Sequence, residues 1–551
     1  MIEGDQIIDE EGTANTDQKN QEAPAPSGSN YVFLIPILMG LTLAIGVWLG
    51  TMFIPSGGGG SNQIITENTN KFNTILEIIE ERYVDSVDNE MLIESSIQGM
   101  IAKLDPHSSY IPARDLEGVN EQLAGQFGGV GIRFLIHNDT LVATDVMPDS
   151  PSLRAGMFPG DRLIEVDGEG IAQGDVTNEK VMELLKGVAG SEVKVKVYRK
   201  GLIKDLTIIR GSIGVSSVDA AIMLTPEIGF IKLNSFTRYA GEEFREAAQK
   251  LKDKGMKKLV FDLRNNGGGY MEDATDIADE FLSDGKLIVY TEGRMEPRFE
   301  YTSSEKGILE ETEVVILINS LSASASEIVA GAIQDNDRGY IMGRRSFGKG
   351  LVQDQRELMD GSALRLTISR YYTPTGRSIQ KPYGEGVDYE NDYFERYESG
   401  ELMNEDSVKF DESLRFVTEG GRVVYGGGGI YPDTFIPNDT SGASYYLTEL
   451  YYMGVFNHWA INYLDIHRSR LKEFSAFNRG FSVTNSMFED FITYAESLGV
   501  ERKPIDIITS RNVIKNRMKA EIARHVWQND GFYTVYIEDD LDVQSALDHL
   551  R

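Results

Sequence analysis

Between residues 71 and 104 apolar side chains recur every three or four positions: Phe72, Ile75, Leu76 and Ile79, then Leu92, Ile93, Ile97, Met100 and Ile101. That spacing puts them on one face of a helix, so two amphipathic helices are predicted, ending at Asp105-Pro106. From 125 to 212 the pattern becomes short β-branched runs, GGVGIRFLI, TLVATDVM, DRLIEVDG, EVKVKVYRKG and IKDLTIIR, separated by Gly, Asp and Pro. With one helical stretch at 178–186, this predicts a compact, mostly-β module. From Gly229 strand and helix signals alternate: GFIKLNSF, EEFREAAQKLK, KKLVFDLR, MEDATDIADEFL, VVILIN and ASEIVAGAIQD. Such alternation marks an α/β domain. Residues 385–421 are polar and acidic and are expected to be an excursion from that domain, before GRVVYGGGGIYPDTFIP restores strand and turn signals. The remainder, 441–551, is expected to be a mainly helical extension without chemistry of its own.

The start of the chain differs. Residues 1–30 carry seven acidic residues and one Lys, a composition that predicts a disordered tail. Residues 31–53, YVFLIPILMGLTLAIGVWLGTMF, are uncharged. At 1.5 Å per residue such a run spans a hydrocarbon core of about 30 Å, which predicts one transmembrane helix. Residues 54–70 then form a linker containing PSGGGGSN.

Composition narrows the function classes. The 551 residues predict several domains, and 54 Lys+Arg against 86 Asp+Glu give a formal charge of -32, which opposes general binding to nucleic acid. Zero cysteines remove disulfides, thiolate metal sites and cysteine nucleophiles, and no metal or cofactor is expected. The six histidines leave positions 138–457 without one.

That gap bears on the candidate chemistry. NSLSASASEIVAGAIQD follows an apolar strand and opens a helix, and Ser324-Ala-Ser-Glu327 fits a capping box. A Ser at such a junction is also presented where first-turn amides can stabilise an oxyanion. With no local His, a Lys of lowered pKa is the economical base. GRRSFGKGLVQ supplies Lys349. Gly343, Gly348 and Lys349 imitate a phosphate-binding loop, but Gly350 stands where the magnesium-binding hydroxyl is required. The third element, Asp262-Leu-Arg-Asn-Asn-Gly-Gly-Gly269, is either a flexible turn or a set of amides facing an anion.

Taken in order, LDPHSSY, DLRNNGGG, SASASEIVAG, FGKGLVQ, YYTPTGRSIQ and GGGGIYPD resemble the carboxyl-terminal processing (tail-specific) proteases across residues 70–440. The resemblance implies a crotonase/ClpP-like α/β core at 213–440, with Ser324 as nucleophile, Lys349 as general base and Gln353 orienting the Lys. It also implies an oxyanion hole from Ala325 and either Gly267 or Gly268. FGGVGI, SPSLRAG and GDRLIEVDG resemble a PDZ domain at 124–212, preceded by a helical region at 71–123. Phe127, Gly128, Gly129, Val130, Gly131 and Ile132 would there receive a peptide's terminal carboxylate.

The function expected is a serine endopeptidase anchored by a single pass in the bacterial inner membrane. Its catalytic domains would be periplasmic or extracytoplasmic and would act on proteins with free, flexible C-termini; a homo-oligomer is left open. The alternative is a non-catalytic PDZ adaptor on a protease-like scaffold.

Overall fold

The computed structural model describes residues 40–42, 45, 61–137, 140–147, 149–171, 177–199, 201–305 and 307–551. The tail at 1–30 and nearly all of the apolar run at 31–53 lie outside the described residues, as do residues 54–60 of the expected linker; its remaining residues, 61–70, are helical, the first turns of a helix that begins at Ser61. Among the described residues no helix is long and apolar enough to cross a membrane. The chain divides into two units, residues 1–92 and 93–551. The first holds the helix Ser61–Arg82, whose Phe72, Ile75 and Ile78 are exposed.

At the heart of the second unit is a six-stranded sheet in the order Val218–Met223, Ile228–Leu233, Lys258–Asp262, Glu313–Ile318, Tyr340–Gly343 and Thr434–Phe435. The first strand pairs antiparallel and the other pairings are parallel. Parallel strands are covered on both faces, which explains the nearly continuous apolar runs of sequence. Ile231, Leu259, Phe261, Val314 and Ile316 pack against the helices Ala240–Asp253, Met271–Asp279 and Ala325–Asp335. Alternate residues Phe230, Val260, Val315 and Leu317 face the other way, onto Val543, Ala546, Leu547 and Leu550. The last helix of the chain, Leu541–Leu550, therefore closes the second face of the protease sheet. The helical extension expected at 441–551 thus ends in a helix that packs into the core of the protease domain. The helices between Tyr445 and Tyr536 do build a separate core around Tyr446, Trp459, Phe488 and Phe491.

A second sheet contains Leu351–Glu357 and Ala363–Tyr372. Its edge strand Ser109–Ile111 lies within the helical region expected at 71–123, just past the predicted helix stop at Asp105-Pro106, and pairs Ser109 with Arg365. The mostly-β module has its own core, including Leu141, Leu163, Val166 and Val195. Its main sheet runs Ile132–His137, Thr140–Val146, Arg162–Val166, Glu192–Arg199 and Leu202–Ile209, and its helix is Asn178–Leu185, as predicted.

Residues 385–421 are no loose excursion. Arg396 is buried, and its guanidinium donates to the carbonyls of Ser346 at 2.7 Å and Phe347 at 3.2 Å. Glu401 accepts from Arg345 through both oxygens, at 2.6 and 2.8 Å. These contacts brace the loop leading to Lys349. The acidic composition hid them, because the partners lie about fifty residues away in sequence.

Candidate active site

Ser324 stands at the N-cap of the helix Ala325–Asp335, after the strand Glu313–Ile318. Its backbone has φ 57° and ψ −113°. A non-glycine residue at positive φ costs about 1–3 kcal/mol and persists only where the surroundings hold it. Most of the other positive-φ non-glycine residues are Asp or Asn, which tolerate the region better.

The holding groups are Glu327 and Tyr371. Glu327 is fully buried, and its Oε2 accepts from the Ser324 N–H at 2.8 Å and the Lys349 N–H at 2.9 Å. Its Oε1 accepts from the Gly348 N–H at 2.7 Å and from the Ser346 hydroxyl. The Tyr371 hydroxyl lies at the carbonyls of the same two residues, Ser324 and Lys349. One acceptor and one donor thus tie together two positions 25 residues apart. Burial raises the Glu327 carboxyl above its ordinary value, against the lowering effect of these hydrogen bonds. Sequence identified Glu327 only as a cap, and its reach back to the Ser324 N–H is indeed present.

The Lys349 ammonium lies half-buried. Burial chiefly, and Arg365 next, pull its pKa below the ordinary value, while Glu327 and Asp105 act in the opposite direction. Lys349 Nζ donates to Gln353 Oε1 at 3.1 Å and is not hydrogen-bonded to the Ser324 hydroxyl. Gln353 Nε2 in turn donates to the His107 carbonyl. A flipped amide would face both neighbours with the wrong group, so the carbonyl of His107 fixes the acceptor toward Lys349. His107 is itself held by Asp105, whose Oδ1 accepts from the N–H groups of His107 and Ser108, both at 2.8 Å. Asp105 Oδ2 accepts from the Ser108 hydroxyl at 2.6 Å. Sequence reasoning noticed LDPHSSY without giving it a role. An Asp followed by donors two and three residues on is a turn signal, but its partner Gln353 is far along the chain.

The imidazole of His107 is not placed as a base for Ser324. Its Nε2 is 2.7 Å from the Tyr389 hydroxyl, and burial, aided by Lys349, lowers its pKa to about 4.

Gly268, at φ 99°, packs so closely on Ser324 that an added Cβ would lie 2.8 Å from the Ser324 Cβ. Its N–H, however, donates to Asn266 Oδ1 at 2.9 Å. Of the two glycines expected as alternative oxyanion donors, Gly268 is therefore engaged elsewhere. The N–H groups of Gly267 and Ala325 have no acceptor among the described residues. Close backbone approach also explains the glycine flanking Lys349 on the other side: a Cβ on Gly350 would lie 3.0 Å from the Gln380 nitrogen.

In the β module, Phe127, Gly129, Val130, Gly131 and Ile132 line a groove of about 280 Å³ closed by Phe134, Met182 and Leu185. The strand Ile132–His137 is at the edge of its sheet, so its free side can pair with an extended peptide. Gly128 departs from expectation. Its N–H donates to Glu121 Oε1 and its carbonyl accepts from the Gly187 N–H, both at 3.1 Å. Glu121 also pairs with Lys186 at 3.1 Å. Among the described residues no group of three or more His, Cys, Asp or Glu could hold a metal ion.

Fold and site together describe a serine-type peptidase with a peptide-binding module. The model of peptidase family S41 matches residues 227–390, a PDZ domain model residues 142–199 and the N-terminal domain of the activating protease CtpB residues 56–114. A family of unknown function matches residues 446–528. The "Carboxy-terminal-processing protease" of Bartonella bacilliformis is 38% identical over 317 residues, covering 56% of this chain and 72% of its own. The "Probable CtpA-like serine protease" of Staphylococcus aureus (strain N315) is 34% identical over 379 residues, 68% of this chain and 75% of its own. Among solved structures, the photosystem II D1 C-terminal processing protease covers 67% of this chain and 93% of its own at 25% identity, with a TM-score of 0.34. The chain belongs to the carboxy-terminal-processing proteases of peptidase family S41.

Proposed function

We propose that this protease works through a Ser324–Lys349 dyad and that its PDZ domain captures the free C-terminus of the substrate. The observation that carries the reading is the single Glu327 oxygen accepting from the backbones of both Ser324 and Lys349. Neutral Lys349 accepts the Ser324 proton as the oxygen attacks the scissile carbonyl carbon. Gln353 Oε1, which can only accept, takes one N–H of the amine and leaves its lone pair for Ser324. The oxyanion that forms is received by the N–H groups of Gly267 and Ala325. Lys349 then gives the proton to the departing amine, and finally activates the water that splits the ester from Ser324.

Capture is assigned to the groove from Phe127 to Ile132, without Gly128. The N–H groups of Val130 and Gly131 have no acceptor among the described residues, and backbone donors of this kind suit a carboxylate. Peptides with a free C-terminal carboxylate should be cleaved with a kcat/KM about tenfold or more above their C-terminal amides, the value of one charge-assisted contact. Equal cleavage of the two forms would sink tail capture while leaving the dyad intact.

The uncharged run at 31–53 supports a single-pass membrane anchor, and the likeness to bacterial carboxy-terminal-processing proteases carries the further reading that the membrane is the bacterial inner one and the protease domains lie outside the cytoplasm. The full chain should then sediment with membranes and resist alkaline carbonate extraction, and protease added to intact cells with a permeabilised outer layer should digest its C-terminal domains. Release by carbonate with the N-terminus intact would remove the anchor. Digestion only after lysis would reverse the side.

A further inference from the structure

The last helix, Leu541–Leu550, presents Asp542 to two arginines that precede the two loops of the active site. Asp542 Oδ1 accepts from Arg344 Nη1 at 2.8 Å. Its Oδ2 accepts from Arg344 Nη2 at 2.7 Å and from Arg264 Nη1 at 2.9 Å. Arg344 directly follows the strand Tyr340–Gly343 and opens the loop carrying Lys349, five residues on, and Arg264 stands three residues before Gly267. Asp542, Arg344 and the neighbouring Asp262 are each less than a tenth exposed. Bidentate arginine–carboxylate geometry fixes direction as well as distance, so the carboxylate holds both loops against one rigid point. Around it the network is closed: Arg264 also donates to Asp540 at 2.9 Å and to both oxygens of Asp262, and Lys232 joins Asp262 at 3.3 Å. The helix that carries Asp542 is fixed in turn by its apolar residues packed on the protease sheet.

We propose that Asp542 is a positioning residue for catalysis, setting the spacing between the loop of Gly267 and the loop of Lys349, and that the C-terminal end of the chain is thereby a working part of the active site. This rests on the Ser324–Lys349 reading. Asp542 touches neither substrate nor the reacting atoms, and its effect passes through Arg264 and Arg344. A buried ion pair is weak evidence for stability, because a well-packed apolar pair often replaces it without loss. Its directional hold on two loops is what such a replacement cannot reproduce.

The test uses the full chain with two variants: Asp542→Asn, and the charge-free double variant Asp542→Leu with Arg344→Met, which keeps the fold measurable if the first variant is unstable. For each, kcat and KM are measured per active site titrated with a serine-directed acylating reagent, alongside the thermal midpoint. The expected result is a fall in kcat per site of about 30-fold or more with KM changed less than about threefold, as a small misplacement of catalytic groups predicts. The fall should persist in the double variant even where its thermal midpoint equals that of the unaltered chain. A folded double variant with kcat per site within about threefold of the unaltered chain overturns the proposal, as does a loss confined to the number of titratable sites. If instead Lys349→Arg retains activity, the dyad itself falls, and that outcome is read independently of Asp542.

Discussion

Replacing Lys349 by Arg is expected to lower kcat by about 10⁴-fold or more while the protein remains folded. Arg stays protonated at any usable pH, so it cannot take the Ser324 proton, and the loss of a member of a catalytic unit costs on this order. The unaltered Lys can act because burial and Arg365 hold its pKa below the ordinary value. The sign follows directly. The active form is the neutral amine, so activity rises with pH through the lowered pKa of Lys349 and falls away in acid. The same shift affects stability: fewer protons are bound in the folded state than in the unfolded chain at pH values between the two pKa values. Folding is therefore disfavoured by the buried charge at neutral pH, and that cost disappears as the pH climbs through the folded pKa toward the unfolded one. Lys349→Met should accordingly be inactive yet more resistant to heat than the unaltered protein at pH 7, with the gain shrinking toward pH 10.

Glu327→Gln is expected to lower kcat by about 100-fold and stability by about 2 kcal/mol, although Glu327 stands outside the proposed proton path. Each carboxylate oxygen faces donors: Ser324 N–H and Lys349 N–H at one, Gly348 N–H and the Ser346 hydroxyl at the other. A Gln amide can satisfy one side only. Whichever way it turns, its NH₂ meets a backbone N–H in a fully buried place, and an unmet buried donor costs about 1–3 kcal/mol. The separation of Ser324 from Lys349 then relaxes, and misplacement by about 1 Å costs about 100-fold in rate. Thermal unfolding and steady-state kinetics together check both figures. Unchanged kcat in a destabilised protein would show that the Glu327 bridge serves the fold alone.

What the sequence made legible was local. The strand and helix around Ser324 follow from the apolar run and the S-x-x-E pattern, and the helix begins at Ala325 as the spacing predicts. Glycines 348 and 350, which in sequence stand out only as an imperfect phosphate-binding loop, mark close backbone approach on both sides of Lys349. What stayed hidden depends on partners distant in the chain. Glu327 reads as a cap because its second oxygen serves residues 346 and 348, visible only once the Lys349 loop is folded over the helix. Asp105 and His107 lie in a segment read as the end of a helical region, and their link to Gln353 spans 246 positions from His107. Gly128 looked like part of the carboxylate loop because glycine pattern alone does not reveal that Glu121 already takes its N–H. The acidic residues of 385–421 and of the last helix look like solvated charge until Arg345, Arg344 and Arg264 are seen beside them.

The dyad is tested most directly by the rate at which a serine-directed acylating reagent modifies the protein as a function of pH, with the modified residue identified by peptide mapping, in the unaltered chain and in Lys349→Arg. The account predicts a single ester on Ser324, a rate in the unaltered chain that climbs to a plateau with a midpoint below 10.4, the ordinary value for Lys, and essentially no modification of folded Lys349→Arg at any pH. Modification of Ser324 in Lys349→Arg at a rate close to that of the unaltered chain, with the same pH midpoint, would contradict Lys349 as the base, and an ester on any other residue would contradict Ser324 as the nucleophile.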